Sequence, residues 1–170
     1  MLILENAAVE PARIMLELTE RIQPGQLRPL LDALRPLRRS GMGLAVDEAG
    51  PDAASMRHIR VLKPDVLKVR PDLVAGIDTD PGRQYLLADL VEFGRQTSAV
   101  LAAVGIETGN ELAVLTRLGI SAGQGHFLGK PTLEPNDWAT WSALAPEGTS
   151  RARHRAPEPR METRNPSTDI

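Results

Sequence analysis

Short apolar segments alternate with longer amphipathic segments over the first 130 residues, and this alternation limits the possible folds most strongly. The apolar segments predict buried strands at residues 13–19, 43–46, 66–69 and 99–103, with a strand or strand-like loop at 123–127. Leucine-rich or amphipathic segments between them predict helices at residues 26–39, 53–62, 81–97 and 110–118. Strands separated by helices at this spacing predict βα units and a parallel sheet, so the fold class is α/β.

Several residues mark where the predicted helices begin and end. Asp80 followed by Pro81 is typical of a helix start, and Asn110 is the predicted cap of the following helix. Gly41 is a predicted stop for the helix that begins near residue 26. Pro36 lies inside that helix, and we expect it to kink or shorten the helix.

Composition excludes several classes of protein. The formal net charge is −2 and aromatic residues make up 3% of the chain, whereas a nucleic-acid binder usually has a basic face or aromatic stacking residues. The absence of cysteine excludes disulfides and thiolate metal sites. No apolar run reaches the roughly 18 residues that span a bilayer. The first residues lack the basic and apolar regions of a signal peptide. We therefore expect a cytoplasmic protein with no nucleic-acid or membrane partner.

The character of the chain changes near residue 146. Residues 146–170 contain mixed charges, several prolines and almost no large apolar side chains, which predicts a disordered tail. Trp138 and Trp141 are three residues apart and predict a last helical turn that packs on the body of the domain. The predicted organisation is one domain over residues 1–145 followed by the tail.

Polar and charged residues recur where the predicted strands end. They are Glu17, Glu20, Asp47, Glu48, Lys68, Glu107 and Gln124. The carboxyl ends of parallel strands share one edge of a βα array, so these side chains are expected to converge there. Oxygen-rich clusters suit Mg²⁺, Mn²⁺ or Ca²⁺, and two-metal phosphodiester hydrolysis is one chemistry that fits such a set.

Four segments resemble the ordered motifs of the EAL family. They are Glu17-Leu18-Thr19-Glu20, Leu67-Lys68-Val69, Gly105-Ile106-Glu107-Thr108 and the run from Gln124 to Pro131. The family motifs that they resemble are ELTE, LKxD, AEGVET and QGYxxxKP, in the same order, and the resemblance covers roughly residues 1–135. It implies a modified TIM barrel that binds two divalent cations and hydrolyses cyclic di-GMP to the linear dinucleotide. With about five of the eight strands of such a barrel visible, the expected fold is a partial TIM-like (β/α) barrel.

The resemblance also implies roles for the polar residues at the strand ends. Glu17 and Asp47 resemble metal ligands, and Glu48 stands at the position of the second metal-site aspartate. Lys68 resembles the lysine beside the scissile phosphate, and Glu107 resembles a carboxylate of the metal and water cluster. Gln124 resembles the glutamine beside the ligand, and Glu20 resembles the glutamate that anchors the loop after the second strand.

This sequence departs from the family pattern at several of those positions. Glu48 replaces an aspartate, Arg70 replaces the aspartate of LKxD, and Val104 replaces the first glutamate of AEGVET. The family's opening strands, which carry the Glu-Ala-Leu signature and a metal-binding asparagine, have no counterpart before Glu17. Because a cation and an apolar side chain replace groups that bind metal and water, we expect no tightly bound Mg²⁺ or Mn²⁺.

Three functional hypotheses follow from this pattern. The first is a degenerate EAL module that has no phosphodiesterase activity and acts as a regulatory or interaction module, with weak or no cyclic di-GMP binding. The second is a working cyclic di-GMP phosphodiesterase, if upstream sequence or a partner protein completes the barrel. The third is a gene remnant without biochemical function. A receptor that binds cyclic di-GMP without hydrolysing it is a variant of the first hypothesis.

Overall fold

The computed structural model describes residues 9–19, 22, 25–51 and 53–134 of the 170-residue chain, and it describes the side chains of this set except for residues 53–55. The predicted tail at 146–170, the helical turn with Trp138 and Trp141, and Glu20 lie outside the described residues.

Five strands form one parallel sheet whose spatial order follows the chain, β1-β2-β3-β4-β5. Their bounds are Met15–Thr19, Gly43–Ala49, Val66–Val69, Val100–Val104 and Ala122–Gln124. The connection from each strand to the next contains at least one helix. Consecutive strands are neighbours in the sheet, as in part of a (β/α) barrel. The prediction of an α/β fold with about five parallel strands is confirmed.

Five helices connect the strands within the described part of the chain. Their bounds are Leu27–Arg39 (α1), Ala53–Leu62 (α2), Pro71–Val74 (α3), Pro81–Thr97 (α4) and Gly109–Leu118 (α5). Pro36 does not shorten α1, which continues to Arg39 before Gly41 turns the chain with a φ of 97°. The short helix α3 was not predicted from the sequence.

The two predicted helix caps have different outcomes. The Asp80 side chain accepts a hydrogen bond from the Arg83 backbone N–H, which confirms Asp80 as the cap of α4. The cap predicted at Asn110 is wrong. Thr108 caps α5 instead, because its hydroxyl accepts from the Glu111 N–H while the Glu111 carboxylate accepts from the Thr108 N–H.

The hydrophobic core lies between one face of the sheet and the helices. Buried side chains from alternate strand positions form it, among them Leu44, Val46, Leu67, Val69 and Leu101. The other face, which carries Glu17 and Lys68, is not covered in the described part of the chain. Two apolar side chains on it, Met15 and Val100, are 50% and 46% exposed. The open face is therefore a mixture of charged and apolar groups.

An ion pair links the last turn of α1 to Asp65, the residue before β3. The Arg38 guanidinium donates to both carboxylate oxygens of Asp65 and to the carbonyl oxygen of Lys63. Asp65 also accepts from the Leu44 backbone N–H at 2.7 Å. The hydrogen bond from Arg38 lowers the pKa of Asp65 and, with the Leu44 N–H, outweighs the opposing effect of desolvation.

No helix in the described ranges combines the length and apolar character that crossing a bilayer requires.

Candidate functional site at the carboxyl ends of the strands

The described residues that the sequence pattern selected lie along the strands and toward one edge of the sheet. Glu17 lies in β1, Asp47 and Glu48 in β2, Lys68 in β3 and Gln124 at the end of β5, while Glu107 follows β4. All five strands are parallel, so the topology places these residues toward the same side of the domain. Within the described residues, the carboxylates among them do not come together in a group of three or more.

A salt bridge joins the first and third strands. The Lys68 Nζ lies 2.5 Å from Glu17 Oε1, so the lysine side chain reaches over β2. The register pairs Glu17 with Ala45 of β2, whose small side chain leaves room above the strand. Both partners retain contact with solvent, and a pair of this kind stabilises a fold by about 1 kcal/mol at most. Its consequence for the site is that Glu17 already has a cation beside it.

The second strand contains a bulge at its acidic end. Val46 pairs with Leu67 and Ala49 pairs with Val69, so β2 contains one residue more than β3 between these two pairs. Val46 and Ala49 both lie in the core, although a regular strand would place residues three apart on opposite faces. The extra residue lets Asp47 and Glu48 remain partly or fully exposed, and Glu48 adopts a left-handed φ of 55°.

We expect Glu48→Gly to stabilise the fold by about 0.5–1 kcal/mol, because glycine adopts the left-handed region without the Cβ penalty that Glu48 carries. Glu48→Ala is the matched control, since it removes the same charge but keeps the strained Cβ. Chemical denaturation of both variants measures the difference. Equal stabilities for the glycine and alanine variants would show that the backbone at residue 48 is not strained.

Arg70 places a fixed positive charge at the end of β3. Its Nε and Nη2 atoms donate to Asp72 Oδ1 and Oδ2 at 2.9 and 2.6 Å. These hydrogen bonds lower the pKa of Asp72, whose slight desolvation has the opposite effect. On the neighbouring strand, Val104 pairs with Gln124 and brings only an apolar side chain to the edge. The carboxyl ends of β3 and β4 therefore contribute an ion-paired arginine and a valine to the candidate site, and neither provides a carboxylate.

The described ranges contain no group of three or more His, Asp or Glu side chains placed to hold a metal ion. Glu17 is paired with Lys68, and Arg70, which follows β3, is paired with Asp72. The donor set that these residues supply does not by itself fit a divalent cation, which needs several oxygen ligands at close range. The metal-binding roles of Glu17, Asp47 and Glu48 stay predictions.

A buried carboxylate that the sequence analysis did not select organises the loop after β4. Glu111 is 5% exposed, and its oxygens accept from the backbone N–H groups of Gly76, Glu107 and Thr108 at 2.8 to 3.0 Å. Burial raises the pKa of Glu111, but these hydrogen bonds together lower it below its usual range. Glu107 is exposed, and Glu111 holds its backbone in place. The Thr108-x-x-Glu111 spacing of a capping box was the available sequence signal.

The segment after β5 packs tightly against the same loop. The Gln124 carbonyl oxygen accepts from the N–H groups of Gly105 and Ile106, and the Phe127 N–H donates to the Ile106 carbonyl oxygen. A Cβ on Gly125 would lie 2.1 Å from the Ile106 carbonyl oxygen and 2.3 Å from its nitrogen. Gln124 thus contributes its backbone to the structure, while its side chain is exposed at the edge of the sheet.

A half-open parallel βα sheet with its charged residues at the strand ends defines this chain as an α/β domain of the (β/α)-barrel type. The family model described as the EAL domain matches residues 1–131. The chain belongs to the EAL domain family.

Known proteins resemble this chain in sequence. MucR of Pseudomonas aeruginosa, a bifunctional diguanylate cyclase/cyclic di-GMP phosphodiesterase, is 28% identical over 124 residues, which are 73% of this chain and 18% of MucR. The RNase E specificity factor CsrD of Escherichia coli is 32% identical over 115 residues, which are 68% of this chain and 18% of CsrD. The chain therefore spans about a fifth of the length of these relatives.

Solved structures agree with the sequence comparison. The PaMucR phosphodiesterase in complex with cyclic di-GMP matches with a TM-score of 0.69 and 28% identity, covering 76% of this chain and 52% of the other. The Klebsiella pneumoniae BlrP1 complex with manganese and cyclic di-GMP matches with a TM-score of 0.67 and 30% identity, covering 75% and 33%. The structural neighbours are EAL domains, and the one from K. pneumoniae holds a divalent metal.

Proposed function

We propose that this chain is an EAL module of cyclic di-GMP signalling that does not hydrolyse cyclic di-GMP and that acts through contact with another protein. The proposal is carried by two departures from the family pattern: Arg70 replaces an aspartate and Val104 replaces a glutamate. The Lys68–Glu17 salt bridge is a second observation, since it pairs an ammonium group with a carboxylate that the family pattern assigns to a metal ion.

The neighbouring strand ends support the same proposal. Arg70 follows β3 where the family pattern has an aspartate, and its guanidinium is bound to Asp72, so this position offers no oxygen ligand to a metal ion. Val104 offers no proton acceptor where the family pattern has a glutamate. Loss of one group that transfers protons in the transition state commonly costs a factor of about 10² to 10⁴ in rate. Together these residues favour a scaffold without phosphodiester chemistry.

The open face of the sheet is the surface that we assign to the contact. Met15 and Val100 are half exposed there, and parallel sheets are normally covered on both faces. The relative CsrD is described as a specificity factor for RNase E, which is a role exerted on another protein. A regulatory role exerted on another protein is therefore in keeping with this relative.

A cyclic di-GMP phosphodiesterase is the second candidate. It is favoured by the relatives and structures described as phosphodiesterases, and by the location of Glu17, Lys68 and Glu107 along one side of the sheet. This function requires further strands and metal ligands from another segment or another protein. Those groups would also have to release Glu17 from Lys68.

Incubation with cyclic di-GMP and Mn²⁺ or Mg²⁺, followed by chromatography for the linear dinucleotide, separates the two candidates. We expect the chain to form no more product than its Lys68→Met variant, with the MucR phosphodiesterase as the positive control. Product that forms with the unmodified chain and disappears in Lys68→Met would contradict the proposal and support the phosphodiesterase. Circular dichroism establishes first that both samples are folded.

The contact surface has its own test. We expect Val100→Asp to reduce capture of a partner protein from extracts of the source cell at least about tenfold, since it places a charge on a surface that must desolvate. Leu86→Asp is the matched control, because Leu86 is exposed to a similar extent, 42% against 46%, on α4. Equal capture by both variants and the unmodified chain would exclude the open face as the contact surface.

A further inference from the structure

A cleft lined by arginines lies at the end of the sheet opposite to the candidate site. It has a volume of about 690 Å³ and is formed by the turn before β1, the last turns of α1, the start of β2 and the residue before β3. Four arginines line it, Arg13, Arg35, Arg38 and Arg39, against one carboxylate, Asp65. We call it the arginine cleft. Its positive charge contrasts with the net charge of −2 of the whole chain.

The four arginines differ in how they are engaged. Arg38 donates hydrogen bonds to Asp65 and to backbone carbonyl oxygens, so its role in the cleft is structural. Arg35 forms an exposed ion pair with Asp32 at 3.1 Å. An exposed pair of this kind contributes little free energy, so Arg35 can leave Asp32 to bind another anion. Arg13 and Arg39 have no carboxylate within salt-bridge distance in the part of the chain that the structure describes. Two or three guanidinium groups are therefore available to an anion.

A smaller pocket adjoins the arginine cleft. It has a volume of about 260 Å³, shares Arg35 and Arg38 with the cleft, and is otherwise lined by four leucines: Leu31, Leu34, Leu44 and Leu62. The cleft itself has apolar wall residues, among them Ile14, Met15 and Met42. The two spaces together place guanidinium groups beside aliphatic side chains, of which Leu31 and Ile14 are partly exposed, and small-molecule sites commonly combine a few polar groups with an apolar wall.

We propose that the arginine cleft binds a small molecule that carries a phosphoryl group and an apolar body. The guanidinium fork matches phosphate oxygens in geometry, and a phosphate monoester carries up to two charges at neutral pH, which suits a site with several arginines and one carboxylate. The apolar body lies toward the leucine-lined cavity. This site lies away from Glu17, Lys68 and Gln124, and it shares only Met15 with the open face to which the protein contact is assigned.

Titration calorimetry of the whole chain with phenyl phosphate and with inorganic phosphate tests the proposal. We expect phenyl phosphate to bind about tenfold more tightly than inorganic phosphate, because only the former places an apolar ring against the leucines. The variant Arg13→Gln/Arg39→Gln should weaken phenyl phosphate binding by at least about tenfold, through loss of charge-assisted hydrogen bonds. Both arginines are exposed and unpaired in the described part of the chain, so the variant should fold normally.

Arg117→Gln is the matched control. Arg117 is an exposed arginine in the last turn of α5, as Arg39 is in the last turn of α1, and both positions suit the helix dipole. Its removal should leave phenyl phosphate binding unchanged. Three outcomes would overturn the proposal: no heat with phenyl phosphate, equal weakening by Arg117→Gln, or loss of binding in Lys68→Met, which would move the ligand to the opposite edge. Equal affinity for both phosphates would overturn the assignment of the leucine-lined cavity.

Discussion

The variant Gly125→Ala is expected to lose about 3 kcal/mol or more of unfolding free energy, or to fail to fold. The added Cβ would lie 2.1 to 2.7 Å from three backbone atoms of Ile106, its oxygen, nitrogen and carbonyl carbon. Backbone atoms cannot rotate away as a side-chain end can. Ile106 is also buried, accepts one hydrogen bond from Phe127 and donates one to Gln124, so a shift would disturb the segments that follow β4 and β5.

Gly123→Ala is the matched control for this effect. Its Cβ would meet the Cδ1 atoms of Ile106 and Leu128 at 2.7 and 3.3 Å, and both are ends of flexible side chains. We expect a loss of about 1 kcal/mol there, in the ordinary range for an extra methyl group in a packed site. Denaturant titration of the two variants measures both losses. Similar losses at positions 123 and 125 would show that the segment can move away from Ile106.

The variant Glu111→Ala is expected to lose about 3 kcal/mol of unfolding free energy. The carboxylate accepts from three backbone N–H groups, those of Gly76, Glu107 and Thr108, and alanine leaves all three without this partner. The Glu111 carboxylate also connects two loops, since Gly76 follows α3 and Glu107 follows β4, and the variant lacks this connection. We therefore expect faster amide hydrogen exchange at Glu107 and Thr108 in the variant.

The contribution of Glu111 depends on pH in a defined direction. Burial alone would raise its pKa, but the backbone N–H donors favour the ionised form more strongly, and the pKa in the folded chain is lowered. The stabilisation is thus complete at pH values above the ordinary pKa of a glutamate and is lost as the pH falls through the lower, folded-state value. Unfolding free energies measured over this acid range should converge for the unmodified chain and Glu111→Ala.

Glu92→Ala is the control for Glu111→Ala. Glu92 is an exposed glutamate of α4 that pairs with Arg95 at 3.0 Å, so its removal should change stability by less than about 0.5 kcal/mol. A loss at Glu92 equal to that at Glu111 would mean that the effect comes from net charge. An unchanged hydrogen-exchange rate at Glu107 and Thr108 in Glu111→Ala would contradict the role of Glu111 in the loop after β4.

The periodicity of the sequence was enough to predict the strands and the four longer helices. Apolar runs such as Val66–Val69 and amphipathic runs such as Pro81–Thr97 are local signals, and a parallel βα sheet follows from their alternation. The cap of α4 was predicted because Asp80 and Pro81 are adjacent. The cap of α5 was missed because Asn110 and Thr108 are both good cap residues. The distinction was made by Glu111, whose carboxylate completes the capping box only with Thr108.

For the candidate site too, some features could be predicted from the sequence and others could not. The sequence pattern selected Glu17, Lys68 and Gln124 because they fall along predicted strands whose ends share an edge. It could not show that Lys68 crosses β2 to bind Glu17, since that contact joins residues 51 positions apart and depends on the register of three strands. The bulge at Glu48 was equally hidden, because it is defined only by the partner strand.

By itself, the amino-acid sequence determined the α/β class, the order of βα units, the resemblance to the EAL family and the residues that depart from its pattern. These features rest on local periodicity and on residue identity. The tertiary structure alone decided which carboxylate meets which cation, which glycine admits no Cβ and which glutamate is buried. Those properties depend on distances between segments far apart in the chain, and the packing of the sheet sets these distances.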